Sequence, residues 1–200
     1  MSFRNRLRRE DWLGEMQTLC IVGLAFVGLA TVVPIGWAML GGKPVTAELS
    51  ADTMTGVAGA ATGLPGVTVA PGSTVEVQVA DPSLHQQIAE ALTSLPTKLV
   101  VFAMLLMVLR IVRRARHGDP FTAATVRQLR RLGVLVIAGG TVAGIVEAFA
   151  MFDLSRTVGN NVYAIWDLPA GWLLAGFGFL AVAEVINRGT AMRDELATVI

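Results

Sequence analysis

The feature that most constrains this chain is a stretch of 23 residues, from 18 to 40, that contains no charged side chain. About 20 predominantly apolar residues in a helix are enough to cross the hydrocarbon core of a bilayer. The one proline in the stretch, Pro34, is tolerated in a membrane helix when neighbouring helices satisfy the freed carbonyl. No A-x-A-like site follows, so we expect an uncleaved anchor and not a signal peptide.

Three further apolar stretches predict spans at 82–116, 123–152 and 168–188. The composition agrees, since 54% of the residues are hydrophobic and 16% are charged, against roughly a quarter charged in soluble domains. The sequence therefore predicts a single all-α membrane domain with four transmembrane helices.

Local signals mark the starts of the second and third spans. Asp81-Pro82 offers an N-cap acceptor followed by proline at the first helical position. Apolar residues then recur at helical spacing, which predicts one long helix that bends at Pro96. Thr122 is the expected N-cap of the third helix, and Phe121 with Val126 suits a hydrophobic staple.

Lysine and arginine are distributed unevenly between the two sides of these spans. Of the 16, 13 lie in the N-terminal segment, around the predicted loop 117–122 and near the C-terminus, and the rest are Lys43, Lys98 and Arg156. The positive-inside rule assigns the arginine-rich side to the cytosol. We therefore predict an N-in/C-in topology, with regions 41–81 and 153–167 outside and the tail 189–200 inside.

The exterior region 41–81 contains a segment with the alternation of a β-hairpin. Val67 and Val69, and then Val75, Val77 and Val79, alternate with polar residues, and turn formers occupy 71–73 between the two groups. We expect a short hairpin here, after a loop over 51–63. Because two strands are marginally stable alone, the hairpin must pack on another part of the chain.

The sequence contains no cluster of residues typical of a catalytic or metal-binding site. There is one cysteine, Cys20, and two histidines, none of them in a metal-binding or triad-like motif. We therefore predict no catalytic, cofactor-binding or metal-binding residue, no cofactor and no enzymatic activity. The net charge of +1 argues against direct binding of nucleic acid.

Glu147 lies inside the third predicted span, where an ionisable side chain is costly and is usually turned inward for a reason. One interpretation is a cation or proton site that Glu147 shares with Asp153 and Asp167 at the exterior mouth. The other is a partly hydrated acid that lines the helix bundle.

Glu184 lies near the cytosolic end of the fourth span. Arg110, at the same depth on the second span, is its expected neutralising partner. Arg188 follows four residues later in the favourable helical order for an ion pair. We interpret Glu184 as part of a structural clamp.

Small residues are spaced for close helix packing in two spans. Gly140 and Gly144 form a G-x-x-x-G motif, and Gly171 with Ala175 forms a related small pair. These motifs predict helix contacts within the chain and also permit a homo-oligomer.

The predicted cytosolic face is basic and helical, and its main partner is the lipid bilayer. It serves either as a topology signal that also attracts anionic lipid or as a docking surface for a soluble protein.

Two segments resemble a known family. The turn from His117 to Thr122 resembles the G-[DN]-P-F-[TS] signature of the bacterial membrane family called domain of unknown function 2975. The closing stretch 183–196 is similar to the ending of that family, a glutamate, a glycine and then an L-R-x-E-like element, with Met192 in place of the usual leucine.

The resemblance implies a multi-pass protein of the bacterial plasma (inner) membrane, whose relatives are often encoded beside a small helix-turn-helix transcription regulator. It implies no established activity. The positions that match the family motifs are Gly118, Asp119, Pro120, Phe121, Glu184, Gly189, Arg193 and Glu195.

Two hypotheses for function follow. In the first, the chain is a non-enzymatic sensor or regulatory partner that holds a helix-turn-helix regulator at its basic face. In the second, it is a small transporter, channel or immunity-type protein that uses Glu147 and the exterior carboxylates. The candidate residues for interaction or ion pairing are Arg110, Asp119, Phe121, Arg127, Arg130, Glu184, Arg188, Arg193 and Glu195.

Overall fold

The computed structural model describes residues 12–41, 44–50, 74–117, 122–158 and 170–197. These ranges contain five helices and two strands, in the order α1 Trp12–Gly41, β1 Val45–Ser50, β2 Thr74–Val79, α2 Leu84–Leu92, α3 Leu95–His117, α4 Ala123–Val158 and α5 Ala170–Ala197. Helix α4 extends past the predicted end at 152, and α5 runs well into the predicted tail.

Four of the helices are long and apolar enough to cross a bilayer, over Trp12–Trp37, Leu95–Arg116, Ala123–Thr157 and Ala170–Arg193. Large apolar side chains on them point away from the protein, as at Leu19, Phe26 and Leu174, which are 70%, 72% and 74% exposed. Such side chains are favourably solvated by lipid, not by water. The predicted four-helix membrane fold is confirmed.

The predicted single helix over 82–116 is wrong, because the chain forms two helices here. Helix α2 ends at Leu92, a turn occupies 93–94, and α3 begins at Leu95. Pro96 explains the break, since its ring would clash with the carbonyl of Leu92 and it has no N–H to donate. The interruption therefore precedes the proline, which sits in the first turn of a new helix.

Hydroxyl side chains cap the N-termini of α2 and α4. Ser83, not Asp81, caps α2, and its side chain forms a reciprocal capping box with Gln86. Thr122 caps α4 as predicted and accepts the backbone N–H of Thr125 at 3.3 Å. Phe121, which was predicted to form a hydrophobic staple with Val126, lies outside the described residues.

Region 41–81 contains a two-stranded antiparallel sheet, as predicted, but its first strand was not expected. Strand β2 pairs with β1, with Val45 opposite Val79 and Ser50 opposite Thr74. The expected partner segment around Val67 lies outside the described residues. Alternation in 74–79 identified β2. Residues 45–50 alternate in the same way, and this strand was missed because the hairpin was assigned to two segments that are neighbours in the sequence.

The chain divides into two compact units. One, called here the bundle unit, takes residues 1–30, 98–141 and 169–200, and the other, the sheet unit, takes 31–97 and 142–168. In the sheet unit, Val45 of β1, Ala89 of α2 and Leu154 of α4 form a buried cluster. In the bundle unit, Val126, Leu129 and Ala183 form a buried cluster, with Ile111, Phe179 and Ile186 packed against it.

Candidate functional site

Helices α4 and α5 approach each other closely at two glycines of the bundle unit. A Cβ added to Gly133 would lie 2.8 Å from Leu180 Cγ and 2.9 Å from the carbonyl oxygen of Gly176. A Cβ added to Gly176 would collide with Ile137. Only glycine fits at either position, because no larger residue allows two membrane helices this near.

The same contact continues to Gly140, whose added Cβ would overlap the ring of Trp172. Of the two predicted glycine motifs, only Gly140 is used in this contact. Both Gly144 and Gly171 face open space. The close-packing residues Gly133 and Gly176 were therefore missed, since neither has a small partner four residues away in the same helix.

An ion-pair cluster lies farther along this contact. Glu184 Oε2 on α5 is 3.1 Å from Arg130 Nη2 on α4, and Glu184 Oε1 is 3.1 Å from Arg188 Nε. The three side chains keep about half or more of their surface exposed, at 46%, 51% and 75% respectively. Both carboxylate oxygens of Glu184 thus accept charge-assisted hydrogen bonds, and the one from Arg130 joins α4 to α5.

The order of residues along α4 and α5 explains why Arg130 is the residue of α4 that pairs with Glu184. Leu180, one turn before Glu184, packs on Gly133, and Arg130 lies one turn before Gly133. Residues spaced by three or four share a helix face, so Glu184 faces α4. The predicted pair of Glu184 with Arg110 is therefore wrong, and Arg110 is exposed on α3. The predicted pair with Arg188 is confirmed.

The described contacts of Glu184 include none of the other predicted interaction residues. Arg127 on α4 and Arg193 on α5 are exposed. Asp119 and Phe121 lie outside the described residues, and Glu195 is described only as part of the α5 backbone.

Helices α1 and α3 of the bundle unit are also joined by one polar and one close apolar contact. Arg116 Nη1 donates to Gln17 Oε1 at 2.7 Å. Farther along, an added Cβ on Gly23 would lie 3.3 Å from Leu105 Cδ1. The sequence analysis missed both contacts, because the residues that form them belong to no recognisable motif within their own helices.

Glu147 has a defined partner in the sheet unit. Its Oε1 accepts the backbone N–H of Thr97 at 2.8 Å, and its Oε2 accepts the Thr97 hydroxyl at 3.1 Å. Thr97 lies in the first turn of α3, where backbone N–H groups lack an acceptor inside the helix. The carboxylate therefore caps α3 from a neighbouring helix, at a site where the N-terminal helix dipole favours negative charge.

Of the two carboxylates expected near Glu147, only Asp153 is among the described residues, and it pairs with a histidine. Asp153 Oδ2 is 2.8 Å from His85 Nε2 on α2, and Asp167 lies outside the described residues. Within the described ranges, no three His, Cys, Asp or Glu side chains are grouped so that they could hold a metal ion. Glu147 can act chemically as a hydrogen-bond acceptor at the helix break.

The four apolar helices define a multi-pass membrane protein. Within that class, the chain belongs to the family described as "Protein of unknown function (DUF2975)", which matches residues 76–200. The predicted family resemblance is thus confirmed, and the matched residues include β2 from its third residue and helices α2 to α5. No curated protein and no solved structure gives a match.

Proposed function

We propose that this chain is a non-enzymatic regulatory protein of the bacterial plasma membrane, whose arginine-rich face binds a soluble regulator. In this proposal both termini are cytosolic, because the arginine-rich ends of the spans lie on the side that the positive-inside rule assigns to the cytosol. The partner is the helix-turn-helix regulator that the family resemblance implies.

The observation that carries the proposal is the exposed ion-pair cluster of Arg130, Glu184 and Arg188. Exposed ion pairs contribute little net stability, since they lose solvation and side-chain freedom when they form. An acidic side chain from a partner can therefore replace Glu184 at Arg130 at small cost. Release of Glu184 from α4 would give the membrane helices two arrangements, one with and one without the partner.

The surroundings of the cluster suit an acidic partner surface. Arg127 and Arg131 flank Arg130 on α4, and both are exposed. Arginine side chains bind carboxylates in a fixed fork geometry, which makes them common in protein interfaces. Binding through this face leaves the DNA-reading surface of the regulator free, so the membrane protein itself needs no contact with nucleic acid.

Co-purification of the two proteins in mild detergent tests the proposal. We expect the regulator to be retained by the unchanged chain and lost from the double variant Arg130→Glu with Arg193→Glu. Arg156→Glu is the control, because it reverses one arginine, half of that charge change, at the other end of α4 and should leave binding unchanged. Equal retention by all three proteins would show that the basic face does not bind the regulator.

The alternative is a transporter, channel or immunity-type protein that uses Glu147. The feature that favours it is the helix break beside this carboxylate, since discontinuous helices form ion sites in many transporters. Under this alternative, Glu147→Gln abolishes flux or protection. Under the regulatory proposal, the same variant keeps the regulator bound and differs only in stability.

A further inference from the structure

One face of helix α4 changes from charged to apolar near the start of the helix. Arg127 and Arg131 are exposed and are four residues apart, so they share this face. Val134, Val142 and Phe149 continue along it and are 58%, 59% and 70% exposed. At about 100° per residue, the five side chains fall within a sector of about 80°. The two arginines therefore stand at the end of an exposed apolar stripe.

The packing of α4 turns this face away from the rest of the protein. Val136 is fully buried and lies on the opposite side of the helix. Arg130 is turned toward α5, where it pairs with Glu184. Among the described residues, neither Arg127 nor Arg131 has an ion-pair partner. The charges of these two arginines are therefore directed away from α5 and from the buried side of α4.

Charged side chains determine the level of α4 in the bilayer. Asp153 follows Arg131 by 22 residues, which is roughly 33 Å of helix, and the hydrocarbon core is about 30 Å thick. The one charged residue between them is Glu147, whose carboxylate is turned to Thr97. A large shift of α4 along its axis would place an exposed charge in hydrocarbon, which is costly. Arg131 therefore lies at the boundary between hydrocarbon and headgroups.

Two guanidinium groups at this level suit the phosphate of a lipid headgroup. Side chains of a helix lean toward its N-terminus, so Arg131 leans toward Arg127 and away from the apolar stripe. Long cationic side chains can then cover apolar surface with their stems while their charge reaches the headgroups. Guanidinium groups bind phosphate oxygens in a bidentate geometry. Basic residues at a membrane surface also attract anionic lipid more than neutral lipid.

We propose that Arg127 and Arg131 form a binding site for an anionic phospholipid. The phosphate contacts the two guanidinium groups, and the acyl chains lie along Val134 and Val142. Charge complementarity selects an anionic headgroup, and the adjoining apolar stripe selects a lipid over a soluble anion. The site goes beyond the proposed function and does not need the regulator, which is assigned to the cluster around Arg130. It also does not depend on which side of the membrane holds the termini.

Quenching by brominated lipids tests this proposal on the full chain in lipid nanodiscs. In a Cys20→Ala background, a fluorophore on Val134→Cys reports the lipid beside the two arginines. The nanodiscs contain phosphatidylcholine and phosphatidylglycerol, and each lipid is brominated in turn. The ratio of the two quenching strengths measures the local preference for the anionic headgroup. No regulator is added, so the result is separate from the test of the proposed function.

Two double variants that remove equal charge are compared. Arg127→Gln with Arg131→Gln removes the site. Arg130→Gln with Arg193→Gln is the matched control, because it removes two arginines at the same ends of α4 and α5. We expect about threefold stronger quenching by the anionic lipid in the unchanged chain, since each basic residue near an anionic surface raises the affinity about fivefold and other lipids dilute the effect. The first variant should lose this preference and the control should keep it.

Equal loss in both double variants would overturn the proposal, because the preference would then follow total charge. Absence of any preference in the unchanged chain would also overturn it. Protection of the label from both brominated lipids would do the same, and would indicate that protein covers the stripe. If soluble glycerol phosphate abolishes the preference, the site takes a phosphate ester from water and the proposal is wrong. Should the first double variant fail to fold, Arg127→Gln and Arg131→Gln are each compared with Arg130→Gln.

Discussion

Glu147, well inside α4, accepts the backbone N–H of Thr97 at 2.8 Å and so completes the first turn of α3. The turn at 93–94 and Pro96 interrupt the helical hydrogen bonds just before this amide. In a membrane helix, a freed backbone group must find a partner in the protein. The contact therefore explains both why the break is tolerated and why a carboxylate stands inside a span.

Substitution of Glu147 should lower stability in proportion to the loss of this acceptor. Glu147→Leu leaves the Thr97 N–H without a partner, which costs about 1–3 kcal/mol for a buried group. Glu147→Gln keeps an oxygen acceptor and should lose less than half of that. The free energy of unfolding in mixed micelles, measured for both variants, checks the order. If the glutamine variant is the less stable one, the charge and not the cap determines the effect.

The two glycines between α4 and α5 should tolerate no added methyl group. Gly133→Ala and Gly176→Ala force the helices apart, and overpacking of this kind typically costs about 1–3 kcal/mol. Gly144→Ala and Gly178→Ala are matched controls, because these glycines face open space in the same helices. The controls gain the helix propensity of alanine without a clash. Thermal unfolding should therefore give a lower Tm for the first pair and an equal or higher Tm for the second.

The pair between Arg130 and Glu184 should be replaceable by its reverse. Arg130→Glu alone places two carboxylates together and should lower the Tm, whereas Arg130→Glu with Glu184→Arg should restore most of the loss. High salt should reduce the difference between the single and double variants, because the groups are exposed to solvent. A double variant no more stable than the single one would mean that the two side chains do not interact in the membrane.

The strand pairing makes a prediction about cross-links. In a Cys20→Ala background, Thr46→Cys with Gln78→Cys should form a disulfide on mild oxidation, because these positions are opposite each other. Thr46→Cys with Glu76→Cys is the offset control, since two residues along a strand add roughly 7 Å, beyond the reach of a disulfide. Gel mobility with and without reductant distinguishes them. Preferential cross-linking of the control pair would show a different register.

The proposed orientation predicts which positions an impermeant maleimide can reach. Gln78→Cys should be labelled in intact spheroplasts, and Met192→Cys only after the membrane is made permeable, both in the Cys20→Ala background. The physical reason is the bias of arginine toward the side of the termini. The opposite labelling pattern would invert the topology and remove the basic face from the cytosol.

Elements fixed by local pattern could be predicted from the sequence. The uncharged stretch 18–40 identified the first span, and the alternation of Val75, Val77 and Val79 identified β2. The Thr122 cap was recognised because its acceptor and the amide that it satisfies are only three residues apart. Each of these features depends on residues that are close together in the sequence and not on tertiary contacts.

Contacts between distant residues could not be predicted in this way. Pro96 signalled an interruption, but its tertiary cap at Glu147 is 50 residues away along the chain. Likewise, Arg110 and Arg130 are equivalent partners for Glu184 by composition and depth, and only the packing of Leu180 on Gly133 turns Glu184 toward Arg130. The four apolar spans could be predicted from local composition, because transfer into lipid depends on the local sum of side-chain hydrophobicities. Which polar groups inside those spans meet depends on helix packing, because helix rotation and separation follow from the close contacts that glycine allows.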